Sequence, residues 1–368
     1  MTPILQWTSC GVLLASLPLL GILVIGMAPW PYLEMPPTTR YVEHAGFSRF
    51  WFNLFALIDI IMLLGLLYAV RCGINRKPKP SLAQPRGARF PWWGWLGLSI
   101  CLSVWFLAWN RFTWFRRFQP HTFFPIWMGF ILFINALTAK RRGHCLLSRN
   151  PGRLGLLFPV SAGFWWIFEY FNRFVQNWWY HTGIEHLGPW QYFFLASLAF
   201  STVLPAVLSM IDLLCTFPAL NRGLSRCRPL SLPESKSVPA LLFAIASTGL
   251  ALIGIFPDQL FALLWVSPLV IIVSLQRLSG RPTLLQSLEN GDWRPIVIPA
   301  FGALICGFFW EMWNSLSLAK WSYTLPYVSC CQLFEMPILG YGGYVPFGLE
   351  CLVVGLPVVG PLFDEQAS

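Results

Sequence analysis

The feature that most constrains this chain is a recurrence: apolar stretches near 20 residues long, almost free of charge, follow one another from end to end. A helix of about 20 apolar residues crosses the roughly 30 Å hydrocarbon core of a bilayer. Ten such stretches can be drawn, at 8–29, 50–70, 91–110, 125–139, 154–171, 192–217, 238–256, 259–276, 295–313 and 338–361. The fourth is short, and Pro257 and Asp258 alone separate the seventh from the eighth. The pattern predicts an all-α polytopic integral membrane protein of about ten transmembrane helices, with no room for a soluble domain. Composition agrees: of 368 residues, 56% are hydrophobic and 11% charged, against about a quarter charged in soluble proteins.

The net charge of +10 would suit a nucleic-acid partner, but the basic residues sit where a membrane protein keeps its cytoplasmic loops. With the N-terminus inside, the loops at 71–90, 140–153, 218–237 and 277–294 carry 6, 5, 4 and 3 Lys or Arg, and the opposite loops carry 7. The expectation is a multi-pass protein of the inner (plasma) membrane with both termini cytoplasmic and no nucleic-acid partner. The opening "MTPILQWTSCGVLLASLPLLGILVIG" lacks a basic n-region and its apolar run is long for a cleaved signal, so it reads as a retained first helix. Ten scattered cysteines show no zinc spacing and read as small buried residues; only the adjacent Cys330 and Cys331 fall in an outer loop.

Self-comparison finds a duplication. "WWIFEYFNRFVQNWWY" at 165–180 and "FFWEMWNSLSLAKWSY" at 308–323 share Glu-x-x-Asn followed by Trp-x-Tyr. This pairs Glu169 with Glu311, Asn172 with Asn314, Trp178 with Trp321 and Tyr180 with Tyr323, at an offset of 142 or 143. The register continues to Pro205 and Pro346 at 141 and reaches back to Pro125 and Pro268 at 143. The expected organisation is residues 1–90 as two N-terminal helices and a basic cytoplasmic loop, 91–218 as four-helix repeat A and 238–361 as four-helix repeat B. Four helices return the chain to its starting side, so the copies would run parallel, related by an axis along the membrane normal.

A carboxylate in hydrocarbon costs a few kcal/mol or more and usually faces protein or a water-filled cavity. Glu169 and Glu311 lie one turn from the outer ends of their helices. There Glu can simply reach headgroup water while Asn binds carbonyls freed by the terminating helix, or the two acids can converge on a shared cavity. Glu350 ends "GYGGYVPFGLE", a glycine-rich, proline-bearing start to the last helix that lets backbones approach closely. Asp59, in "FNLFALIDIIMLLG", has no repeated counterpart and is expected to bond Asn53 or another helix. Asp212 lies near the inner face, where a loop arginine would pair with it. Most of the twenty tryptophans form interfacial belts, yet several cluster about the acids, and π faces beside an acid suit a cation in a dry site.

Absences narrow the chemistry. The chain carries no GxxxxGK loop, no DDxxD or DxxxD pair and no histidine box among His44, His121, His144, His181 and His186. A metal site would have to be built from carboxylates alone, and none is expected.

In order and spacing the second copy resembles the integral-membrane lycopene cyclase domain family, through Trp310-Glu311, Trp321-Ser322-Tyr323, Pro326-Tyr327 and "VPFGLE" with Pro346 and Glu350. The family's paired glutamates directly after proline are absent here, and the first copy has "LPAVLSM" at that place. The resemblance implies an enzyme without a redox cofactor that protonates a double bond of a linear, carotenoid-like isoprenoid, so that the cation closes a ring or takes up water. It makes Glu311, Glu350 and Glu169 the catalytic candidates. Asn172, Asn314, Trp178, Trp310, Trp321, Tyr180, Tyr323 and Asp59 become substrate-binding candidates, with membrane lipid and a lipophilic small molecule as partners. An acid kept from water can hold its proton at neutral pH. Duplicated halves with buried carboxylates equally suit a proton-coupled or solute transporter, and a non-catalytic membrane subunit of a complex, or an oligomer, is the remaining reading.

Overall fold

The computed structural model describes residues 3–75, 89–184, 186–233 and 235–363. Most of the basic loop expected at 71–90 lies outside the described residues. In chain order the helices are α1 (Pro3–Val24), α2 (Arg49–Asn75), α3 (Trp92–Trp109), α4 (Phe123–Arg142), α5 (Leu146–Arg149) and α6 (Pro151–Val175). After strand β1 (Trp178–His181) come α7 (Pro189–Phe200), α8 (Val203–Leu214), α9 (Pro218–Leu224), α10 (Ser237–Leu252), α11 (Pro257–Leu260), α12 (Leu263–Leu278), α13 (Gln286–Glu289) and α14 (Arg294–Ser315). Strands β2 (Lys320–Tyr323), β3 (Gln332–Leu333) and β4 (Met336–Pro337), a 3-10 turn and α15 (Tyr344–Val359) complete the order.

The described residues are mostly helical, and among them seven stretches are long and apolar enough to cross a membrane: Arg49–Asn75, Trp92–Trp109, Gln119–Arg142, Pro151–Val175, Pro189–Leu214, Arg294–Ser315 and Ile338–Val359. Three shorter apolar helices, Thr8–Val24, Ser237–Leu252 and Leu263–Leu278, lie at the other expected windows.

Local chemistry sets where the helices start, stop and break. The fourth window proves longer than expected, ending in Lys140, Arg141 and Arg142 before Gly143, whose φ of 86° closes the helix; positive side chains in the last turn and a left-handed residue after it favour termination there. The sixth window, expected as one span, is broken between α7 and α8. Pro205 has no N–H to give Ser201, and its ring crowds that carbonyl. The Ser161 hydroxyl, fully buried on α6, enters the gap: it donates to the Phe200 carbonyl at 2.7 Å and accepts from the Leu204 N–H at 2.9 Å. One side chain thereby replaces one helical bond and pins the break to α6.

The helices pack through small residues, as apolar spans must when lipid is as apolar as their own side chains. A Cβ on Gly97 of α3 would lie 2.8 Å from the Gly129 carbonyl of α4, and one on Gly348 of α15 would lie 2.2 Å from the Pro299 carbonyl of α14.

The two ends of the bundle differ. At one end the loops around 143–150, 215–230 and 286–294 meet. Asp212, 1% exposed, accepts from Arg142, from Arg149 at 3.0 Å and from the Leu146 N–H at 3.2 Å, as the sequence suggested. At the opposite end, residues 26–48 form a strap between α1 and α2. Gln176 receives the Tyr41 and Val42 N–H groups at 3.1 Å each and donates to the Thr39 carbonyl at 3.1 Å. Asp258 binds His44 Nδ1 at 2.7 Å and the Ala45 N–H at 2.8 Å. The strap thus ties the end of α6 to α11.

Candidate functional site

The two Glu-x-x-Asn segments fold alike because each asparagine spends its amide on the chain that follows. Asn172 accepts from the Asn177 N–H at 2.9 Å and the Trp178 N–H at 3.3 Å, and donates to the Trp178 carbonyl at 2.7 Å. Asn314 accepts from the Trp321 N–H at 2.8 Å and donates to its carbonyl at 2.7 Å. Groups orphaned at a helix end are satisfied in this way, and the chain turns directly into a strand. Those strands, β1 and β2, pair antiparallel: Trp178 with Tyr323, Trp179 with Ser322, Tyr180 with Trp321 and His181 with Lys320.

The ribbon brings its aromatic side chains back onto the acids. Glu169, 4% exposed, accepts at Oε1 from Trp165 Nε1 at 2.9 Å, Trp178 Nε1 at 3.0 Å and the Tyr180 hydroxyl at 2.5 Å. Glu311, fully buried, accepts at Oε1 from the Tyr323 hydroxyl at 2.7 Å and the Tyr344 hydroxyl at 2.8 Å, while Trp321 Nε1 donates to the Tyr323 oxygen at 2.8 Å. Glu311 Oε2 has no partner. The two settings are related but unequal: three donors reach one acid, two reach the other, and Tyr344 comes from α15. Burial first, and the adjacent glutamate second, push the Tyr180 and Tyr323 phenols well above their usual range, so both remain O–H donors.

In front of these pairs lies a cavity of about 450 Å³, within the range of small-molecule sites. Its wall is mainly apolar, rich in aromatic rings, and is drawn from both halves. Trp178 and Trp265 lie 5.5 Å apart, Trp265 and Phe347 5.8 Å, and Phe123 and Trp321 5.8 Å. In each of these pairs except Trp265 with Phe347, the two rings come from different halves. Helix α2 supplies one side through Phe55, Ile58, Asp59 and Met62.

Of the residues singled out in sequence, Trp178, Tyr180, Trp310, Trp321, Tyr323 and Asp59 line this one cavity. Glu169 and Glu311 do not line it themselves; they stand behind the rings that do. Asn172 and Asn314 are turned to the backbone, which departs from the substrate-binding role expected of them. Glu350, 1% exposed, also lies off the cavity, where its Oε1 accepts from the Leu269 N–H at 3.0 Å. That N–H follows Pro268 inside α12, so the carboxyl serves backbone near a proline kink. Asp59 is set against Gly342, where a Cβ would lie 2.0 Å from its Oδ1, and no bond to Asn53 forms.

Sequence reading missed Tyr344, Trp265, Phe347 and Asn177, all cavity residues. Tyr344 sits in the quoted "GYGGYVPFGLE" and carried a signal as an aromatic six residues before the acid Glu350; Trp265 and Phe347 look like ordinary apolar positions. At the rim, Lys320 is held by Glu335 at 2.6 Å. Among the described residues no group of three or more His, Cys, Asp or Glu is placed to hold a metal ion, and Cys330 and Cys331 are free thiols. Compared with known proteins, the chain matches no protein-family model, no curated protein and no solved structure.

Proposed function

We propose that the protein is an inner-membrane enzyme that binds a lipophilic, isoprenoid-like molecule in this cavity and reacts on it by moving a proton. The observation that carries the reading is that donors to both buried acids, Trp178 and Tyr180 for Glu169, Tyr323 and Tyr344 for Glu311, line one aromatic cavity. A phenol is both donor and acceptor. Tyr323 can therefore give its proton to a terminal alkene carbon as it takes the proton of Glu311, leaving a carbocation over the indole and phenyl faces. Cyclisation ends when that cation is attacked by a second double bond and a proton leaves through Tyr180 to Glu169. Hydration ends when water adds and gives up its proton by the same route.

The antiparallel register of β1 and β2 supports two parallel four-helix repeats about an axis along the membrane normal, and the seven long with the three shorter apolar helices among the described residues support ten spans in all. The gathering of arginines at the end opposite the cavity supports cytoplasmic termini and a cavity near the outer face. Expression in a host that accumulates a linear carotenoid, followed by pigment chromatography, tests the activity: cyclic or hydrated product is expected. Unchanged pigment with the protein confirmed in the membrane overturns it.

A further inference from the structure

Among the described residues, Asp59 is the acid that lines the cavity. Glu169, Glu311 and Glu350 stand off it and are 4% or less exposed, whereas Asp59 is part-exposed. It belongs to a stripe of α2, Phe55, Ile58, Asp59 and Met62, spaced i, i+3, i+4 and i+7, every member of which lines the cavity. Its carboxyl lies against Gly342, and a Cβ on the next residue, Gly343, would lie 3.9 Å from the Trp265 indole. Carboxyl and indole therefore abut consecutive residues of one turn, both of which are part of the wall. No described residue gives this carboxyl a hydrogen bond or an opposite charge. The one Lys or Arg among the lining residues, Lys320, is held by Glu335 at 2.6 Å. Of the two lining histidines, His181 accepts from Trp179 Nε1 at 3.0 Å, and His121 forms no ion pair with Asp59.

We infer that the cavity binds lipophilic cations, alkyl ammonium compounds as a class, with Asp59 as their counter-ion and the neighbouring rings as their cage. An acid at membrane depth calls for an opposite charge, and the protein supplies none to this one. Aromatic faces attract a cation through their quadrupole and a carboxylate attracts it through a full charge, so the two parts of the wall ask for the same guest. A neutral hydrocarbon leaves the carboxyl unmet. An alcohol can donate one hydrogen bond to it but brings no charge to the rings, and an anionic guest sets like charges together. A quaternary ammonium on an alkyl chain meets the carboxyl, the rings and the apolar wall at once. The inference rests on the lipophilic site of the proposed reaction and sharpens it: the carbocation formed when Tyr323 gives up its proton is a charge of the same sign in the same chamber. Asp59 lowers the energy of that cation by its charge, and takes neither a bond nor a proton from it.

The test uses two probes of one shape, bromododecyltrimethylammonium and its neutral carbon isostere, in which a tert-butyl group replaces the trimethylammonium head. Each is titrated against the full chain in lipid nanodiscs. Bromine quenches tryptophan, and the saturable part of the quenching reads the cavity while the linear part reads probe dissolved in lipid. The wild type should bind the ammonium about tenfold more tightly than the isostere. Asp59→Asn, which keeps the size of the side chain, should weaken the ammonium about tenfold and change the isostere by less than about twofold. Equal binding of the two probes by the wild type overturns the counter-ion assignment alone, as does a preference undiminished in Asp59→Asn or Asp59→Ala. Saturable binding of neither probe overturns the lipophilic-cavity reading as well. The wild-type comparison needs no variant, and retained binding of the isostere shows that a variant is folded.

Discussion

Trp179 and Ser322 face each other in the antiparallel ribbon, and they are also the middle residues of the two Trp-x-Tyr segments. The register is symmetric about this pair: Trp178 meets Tyr323 on one side and Tyr180 meets Trp321 on the other. Half a turn about the pair carries each strand's Trp and Tyr onto those of its partner. The hydroxyl donors of the two acids, Tyr180 to Glu169 and Tyr323 to Glu311, are exchanged by that same relation.

Cysteines at 179 and 322, in a chain whose native cysteines are replaced, should therefore form a disulfide. Directly opposed residues have Cβ atoms about 4.5–5.5 Å apart, near the separation a disulfide spans. After cleavage at a protease site placed within 218–237, the fragments should stay joined on a gel until reductant is added. Separation under oxidising conditions would refute the register.

Replacing Glu311 by Gln keeps an acceptor for Tyr323 and Tyr344 and removes the acid. Turnover measured by product chromatography should fall by about a hundredfold or more. Tyr344→Phe should cost less, since Tyr323 still reaches the carboxyl. Full turnover in Glu311→Gln would remove this acid from the reaction.

Asp212 holds two arginines and a backbone N–H with almost no exposure. Asp212→Asn leaves two cations facing a neutral group, and breaking such a pair costs about 3 kcal/mol or more. Arg149 is partly exposed and softens the effect. Thermal unfolding in detergent should show a clear loss of stability, and Arg149→Ala a smaller one.

Gly342→Ala would thrust a methyl group into the Asp59 carboxylate. The obstacle is the end of a flexible side chain, so a cost below about 1 kcal/mol is expected, taken up by turning Asp59. The double variant Gly342→Ala with Asp59→Ala should recover the stability of Asp59→Ala alone, a coupling that a double-mutant cycle reads directly.

Gln176→Ala removes three bonds that fasten the strap, each worth about 1 kcal/mol net. Limited proteolysis should then cut within 26–48 markedly faster than in the wild type, while cleavage elsewhere is unchanged. Equal rates would mean that Asp258, together with the Tyr41 hydroxyl donating to the Arg173 carbonyl, holds the strap unaided.

Much of this molecule is legible in its sequence. Apolar runs marked the helices, because hydrocarbon leaves a chain little alternative, and the twinned Glu-x-x-Asn and Trp-x-Tyr segments marked the acids and several rings of the cavity. What stayed hidden was set at long range. Nothing in "NWWY" or "AKWSY" announces a strand whose partner lies more than 140 residues away, and the asparagines that looked like ligands for a substrate are local caps. Ser161 gave no hint that it would stand in for a bond of another helix. Asn177 carried no signal in the sequence, and its full burial with an unpartnered side-chain amide exists only in three dimensions.

The ribbon also has a mechanical meaning. It follows immediately on the two helices that carry the acids, so the halves cannot draw apart at that end without tearing its hydrogen bonds. The chamber is therefore fastened at that end by backbone bonds as well as by side-chain packing, with α2, largely exposed along its length, as one of its walls.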